Sequence, residues 1–346
     1  METRKIRRSY HPVTGSGVFL FVLCILIAIF YVLQISPEAA FSASKNVITE
    51  VVHITSDDGT TVYGLLYEPN PSVYQRPGVG VVVIHGVEGS LFTSVPGFLT
   101  PALAEKGYAA LAINARHSLG LFPTSTFEQP VSDVRAAIKY MNGKGFDKIF
   151  LVGHSLGTFV TGFCAGTNPD PSVKALGLTG IPHVRLAASS KEQIGELAYN
   201  ALVAQATAAV AAGKASTYLL FTWCSPTCSA RAWTAKTFLN WRGPDSNARF
   251  DTVLNKIKVP IFMIHDPNDT SVVFGGPPRP KYSTSGKWVK EGATSSPRVD
   301  SFLTTPTPGQ SSGDAHSFVG IEKETEVINI TANWMIEVGL LPAKLK

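Results

Sequence analysis

Gly153-His154-Ser155-Leu156-Gly157 follows directly on the branched, apolar run Lys148-Ile149-Phe150-Leu151-Val152. A serine at the centre of G-x-S-x-G, between a strand and a helix, sits on a sharp turn that pushes its hydroxyl into the open. Glycine flanks such a turn because a Cβ has no room there. An ordinary Gly-rich turn is the competing reading of five residues alone. The strand-like run before them, and the apolar stretch 158–165 after them, favour a nucleophile. A serine hydroxyl is a weak nucleophile at neutral pH, so it needs a base within hydrogen-bond reach and an acid to orient that base. Two later segments carry these residue types. His265-Asp266-Pro267-Asn268-Asp269-Thr270 ends an apolar run, and Gly313-Asp314-Ala315-His316-Ser317-Phe318 precedes the last helical pattern. Acyl transfer also needs N–H donors for a negative oxygen. Leu156 supplies one just after the serine, and the Gly-rich His85-Gly86-Val87-Glu88-Gly89-Ser90 closes another strand-like run.

The remaining histidines compete less well. His154 is expected to turn away from a substrate, and His265 to pack beneath the acid loop. His183 reads as structural or as a substrate contact, while His53 and His11 have no supporting context. No cluster has metal-ligand spacing, so neither a metal nor another cofactor is expected.

The elements that must position these residues alternate in type. Strands are expected over 47–53 and 61–67, joined by the turn Ser56-Asp57-Asp58-Gly59-Thr60, a hairpin signal. Further strands follow over 78–84, 108–113, 148–152 and 173–179. Helices fall over 94–106 and over 130–141, the latter with Pro130 in its first turn. Strands alternating with helices imply an α/β fold with a mostly parallel sheet, covered on both faces.

The alternation breaks over 182–250, which reads as a helical cap inserted after the sixth strand. Its alternative is a peripheral decoration with no part in binding. Ser190 with Gln193 suggests a capping box, followed by an apolar helical face of Ile194, Leu197, Ala198, Ala201, Leu202 and Ala208. A second helix is expected over 229–240. The sheet resumes at 259–264. The Pro/Ser/Gly-rich stretch 275–313 reads as loops around one strand near 299–303, and 322–338 as a closing helix. The core is therefore 47–181 with 251–346.

At 346 residues, 45% hydrophobic and 16% charged, the chain is globular rather than disordered. Its net charge of +5 is concentrated in Arg4, Lys5, Arg7 and Arg8, so the remainder gives no reason to expect nucleic acid. After this basic segment, 1–16, comes an apolar run of about 17 residues, 17–33, at the lower edge of what spans a bilayer. Residues 17–36 read as a signal-anchor that leaves the N-terminus cytoplasmic and exports the rest, with 37–46 as a linker. Cleavage of a signal peptide near Ala40-Phe41-Ser42 is the second reading. Cys224 and Cys228 read either as a small disulfide loop of an oxidising compartment or as two free thiols. Cys24 lies in the apolar run, and Cys164 reads as a small buried hydrophobe.

Together these motifs resemble the α/β-hydrolase family over roughly 47–340, nearest in pattern to capped esterases, monoglyceride-lipase-like and proline-iminopeptidase-like enzymes. The resemblance implies an eight-stranded-type sheet and the chain order serine, acid, histidine. It implies Ser155 as nucleophile, Asp269 as the acid with Asp266 as the runner-up, and His316 as the base. It also implies an oxyanion hole of the Val87 and Leu156 amides, supported by His85, Gly86, Gly153 and Gly157. Asn114-Ala115-Arg116-His117 is similar to the family's Asp-x-Arg-Gly loop but departs from it at the first and last positions. The activity implied is cleavage of a small-molecule carboxylic ester through an acyl-serine. Two alternatives stand beside it: an exported peptidase, with Glu192 and Glu196 as candidate clamps for a free terminus, and a non-catalytic binding protein. Oligomeric state is left open.

Overall fold

The computed structural model describes residues 45–224, 228–271, 279–280 and 284–346. The expected cytoplasmic segment, the signal-anchor 17–36 and nearly all of the linker 37–46 lie outside the described residues. Among the described residues no helix is long and apolar enough to cross a membrane.

The chain opens with β1 (Val47–Thr55) and β2 (Thr61–Pro69), paired antiparallel in full register across the Asp58-Gly59 turn. Then come β3 (Val79–Ile84), α1 (Ser94–Glu105), β4 (Ala109–Ile113), α2 (Glu128–Gly143), β5 (Lys148–His154), α3 (Gly157–Gly166) and β6 (Val173–Thr179). The cap holds α4 (Leu186–Ile194), α5 (Glu196–Ala211), β7 (Tyr218–Cys224), β8 (Cys228–Thr234) and α6 (Ala235–Arg242). The core resumes with β9 (Ile261–His265), the two-residue ladder β10 (Thr270–Ser271) and β11 (Arg279–Pro280), α7 (Ser285–Gly292) and β12 (Val299–Leu303). It closes with α8 (Ser312–Ser317) and α9 (Ile321–Glu337).

Eight strands form one sheet in the order β1-β2-β4-β3-β5-β6-β9-β12. Only the β1–β2 and β2–β4 pairs are antiparallel. Helices cover both faces, and β3 shows why its sequence is a continuous apolar run. Val81 and Val83 share a core with Leu99 and Leu103 of α1 and Trp334 of α9. Val82 and Ile84 share the other with Val134 of α2 and Phe159 of α3. A strand buried on both sides loses the polar half of its alternation. The strand expected near 299–303 is β12, parallel to β9 and last in the sheet.

Four expectations need correction. The cap is not wholly helical: residues expected to begin a helix at 229 form β8, which pairs antiparallel with β7. Leu219, Phe221 and Trp223 are buried in β7 while their neighbours face out, the period of a half-buried strand. Ser190 is not a cap either. It lies inside α4, where its hydroxyl donates to Leu186 O at 2.7 Å. The single apolar face is interrupted at Gly195, whose φ of 88° ends α4. Tyr199, Leu202 and Ala206 are the buried face of α5, while Leu197 is 87% exposed. Finally, α7 forms within a stretch read as loop, burying Val289. Cys224 and Cys228 are disulfide-bonded across the hairpin, and Cys164 is a buried free thiol.

Candidate active site

Ser155, Val87 and Asp269 lie just beyond the carboxyl ends of β5, β3 and β9, and His316 follows β12, at the edge where α/β sheets place their ligands. Ser155 follows β5 and stands just before α3, with a positive φ of 51°. Its N–H donates to Thr179 O at the end of β6, at 2.9 Å, which clamps the strained turn to the sheet. A Cβ on Gly153 would meet Gly157 O at 2.4 Å, so the turn excludes any larger residue there.

The acid loop after β9 resolves its two aspartates by partner. Asp269 Oδ2 accepts from His316 Nδ1 at 2.8 Å, and the carboxylate is almost fully buried. Asp266 faces elsewhere. Its Oδ1 accepts the Asn268 N–H at 2.8 Å, and its Oδ2 takes Thr304 Oγ1 at 2.9 Å and Lys323 Nζ at 2.7 Å. It ties the loop to the residue after β12 and to α9.

His316 sits in α8, a single turn where a loop was expected, with Ser311 as its cap. Ser312 bonds reciprocally to Thr270, accepting its N–H and donating to its O, both at 2.9 Å. The loop after β9 and the turn that bears His316 are thus stapled together beside the Asp269–His316 contact. Gly180 makes room for the ring: a Cβ there would lie 3.1 Å from His316 Cε1. Because a carboxylate only accepts, the proton between them sits on His316 Nδ1.

The loop after β3 supplies the other wall. A Cβ on Gly86 would fall 2.9 Å from Ser155 Cβ, so glycine lets this backbone pass against the serine. Among the described residues, neither the Val87 nor the Leu156 N–H donates to a backbone carbonyl. From below, His117 Nε2 donates to His85 O at 2.9 Å, and Glu88 N–H donates to His117 O at 3.0 Å. Burial pushes His85 down to about 4 and lowers His117 well below the usual histidine range, so both rings are neutral. Arg116 instead pairs with the buried Asp133 at 2.7 Å and bonds to Asp58, a structural role.

A cavity of ≈ 740 Å³ brings the Ser155, His316, Val87 and Leu156 positions to one surface. His154 borders it as well. Contrary to expectation, its ring lies 5.0 Å from that of His316, held by Ser94 Oγ at 3.0 Å and Thr179 Oγ1 at 3.1 Å. His265 is fully buried at the end of β9. His183 stacks on Trp288 at 4.3 Å and accepts the Val184 and Arg185 amides, away from the cavity. Leu186, Ser189, Gln193, Trp223, Ser229, Arg231 and Arg242 of the cap close the far side. The cap therefore covers the serine. These cap residues were missed, since nothing near them in the chain marks them. Among the described residues no His, Cys, Asp and Glu cluster is arranged to hold a metal.

The model of the alpha/beta hydrolase family matches residues 81–306. No curated protein matches the sequence. Among solved structures, the chain is similar to Est1E from Butyrivibrio proteoclasticus, with ferulic acid bound. The identity is 17% and the TM-score 0.58, over 83% of this chain and 98% of that one. It is similar to the siderophore hydrolase EstB from Aspergillus fumigatus at 15% identity and TM-score 0.57, over 86% and 99%. It is similar to the esterase domain of a Rhodothermus marinus protein at 16% identity and TM-score 0.54, over 84% and 100%.

Proposed function

Because the chain belongs to the alpha/beta hydrolase family, we propose that it cleaves a carboxylic ester through an acyl-enzyme at Ser155. The observation that carries this reading is the 2.8 Å contact of His316 with Asp269 on a cavity that Ser155 shares. Ser155 Oγ attacks the ester carbonyl while His316 Nε2 takes its proton, and Asp269 holds the resulting imidazolium. The Val87 and Leu156 amides receive the negative oxygen. His316 returns the proton to the leaving alcohol. Water, activated by the same ring, then releases the acid.

The named esterases and hydrolases of like fold support an ester rather than an amide. Glu192 and Glu196, the clamps a peptidase would use, are not on the cavity wall, and Glu196 is paired with Lys191 at 2.6 Å. A fluorophosphonate probe should label Ser155, and p-nitrophenyl esters should turn over faster than aminoacyl-naphthylamides. Ser155→Ala or His316→Ala should each lower kcat on the order of 10⁴-fold or more. An unlabelled serine would make this a binding protein, and faster amide cleavage a peptidase.

The same reading sets the core outside the cytoplasm, tethered by residues 17–36. The apolar run and the Cys224–Cys228 disulfide support it. Activity should stay with membranes washed in alkaline carbonate. A mature chain beginning near Ala43 would replace the anchor with a cleaved signal.

A further inference from the structure

We propose that the cap wall is an anion subsite built on Arg242, and that the ester cleaved at Ser155 carries a free carboxylate elsewhere in the molecule. The substrate class rests on the hydrolase reading above; the subsite itself does not.

Arg242 ends α6 and borders the cavity, yet is only 1% exposed. Its guanidinium is held between two indoles, 4.1 Å from the centroid of Trp223 and 4.7 Å from that of Trp233. Nη1 donates to Ser190 Oγ at 2.7 Å, with Gln193 Oε1 at 3.5 Å. Nε is buried with no acceptor, and no carboxylate pairs with this arginine among the described residues. Glu88 is the acidic group whose field reaches it, and Glu88 is already engaged by Arg231 at 3.6 Å. Two guanidinium groups therefore share one carboxylate at this wall. The other acid on the cavity, Glu324, belongs to the first turn of α9 on the core side.

Buried charges are normally paired, because desolvation without a partner is unfavourable. Arg242 shows that strain in its acidity: burial lowers it to about 9, still charged at neutral pH. The indole faces offset part of the desolvation, but they do not cancel the charge. An apolar side chain would serve packing alone better. The missing counter-ion is what a ligand would bring, and the planar fork of a guanidinium matches the two oxygens of a carboxylate. A cavity of ≈ 740 Å³ suits a small monoester of a diacid.

Two chromogenic esters of equal length separate the idea from its rivals: p-nitrophenyl hydrogen glutarate, with a free carboxylate, and p-nitrophenyl valerate, without one. The glutarate ester should have the higher kcat/KM by roughly 10- to 100-fold at neutral pH, mostly through KM. Arg242→Met should bring the ratio of the two close to one, and Arg242→Lys should retain part of it. Should Arg242→Met not fold, the wild-type ratio and glutarate binding decide alone. Free glutarate should raise Tm, and glutaramide should not. A chain that stabilised with glutarate and cleaved neither ester would keep the subsite and sink the hydrolase reading. One that cleaved both esters alike and ignored glutarate would sink the subsite and spare the hydrolase.

Discussion

The core wall and the cap wall of the cavity hold their polar groups by different means. Behind the core wall, several polar groups meet near neighbours that hold them in place. Asp269 meets His316, Asp266 meets Lys323 and Thr304, and His117 supports His85. On the cap wall Arg242 is caged by aromatic faces and lacks a counter-ion among the described residues. The first arrangement is held in place before a ligand arrives and suits chemistry, where donors must be aimed beforehand. The second leaves a charge in deficit and suits recognition.

The sharpest test of this contrast lies within the acid loop. Asp269→Asn should reduce kcat on the order of 10⁴-fold, because the amide no longer fixes the histidine tautomer, with little change in Tm. Asp266→Asn should do the opposite. It removes the charge partner of Lys323, whose side chain is only 4% exposed and keeps only the Thr304 hydroxyl and the Thr305 carbonyl, and should lower stability by about 3–5 kcal/mol, read by denaturant unfolding. If Asp266→Asn proved the more damaging to kcat, with stability intact, the division of labour between the two acids would fall.

A smaller effect is expected from pH. His85 is held neutral down to about 4 by burial, against an ordinary value of 6.5. Between those values the unfolded chain takes up a proton that the folded chain refuses. Stability from this group is therefore full above about 6.5 and is lost as pH falls toward about 4. Arg242 stays protonated in both states through that window and adds no slope. Tm should thus decline with acidification, and His85→Gln should flatten the decline. An unchanged slope in that variant would remove His85 as a source of the acid sensitivity.

The sequence disclosed the core wall more readily than the cap wall, for a physical reason. The sharp turn at Ser155 constrains its own neighbours, so Gly153 and Gly157 mark it locally. Strands buried on both faces show as apolar runs, which is how β3, β5 and β9 could be read. The different settings of Asp269 and Asp266 were only half visible, because they are made by His316 and Lys323, both more than forty residues away. In the cap, Leu220 is 77% exposed within β7, and this outward apolar residue obscured the alternation of Leu219, Phe221 and Trp223. Arg242 gave no signal at all. Its indole partners come from two other strands, and its burial follows from tertiary packing alone.

The ion pair between Asp266 and Lys323 has a consequence for biosynthesis. Synthesis runs from the amino end, so the Ser155 turn leaves the ribosome long before Lys323, the cation that steadies the loop of Asp266 and Asp269. Under the proposed function, until α8 and α9 have been made and docked, Ser155 has neither the His316 imidazole nor a settled Asp269 carboxylate to work with. A nascent chain in transit would thus be chemically quiet, and reactivity would switch on only once folding had finished.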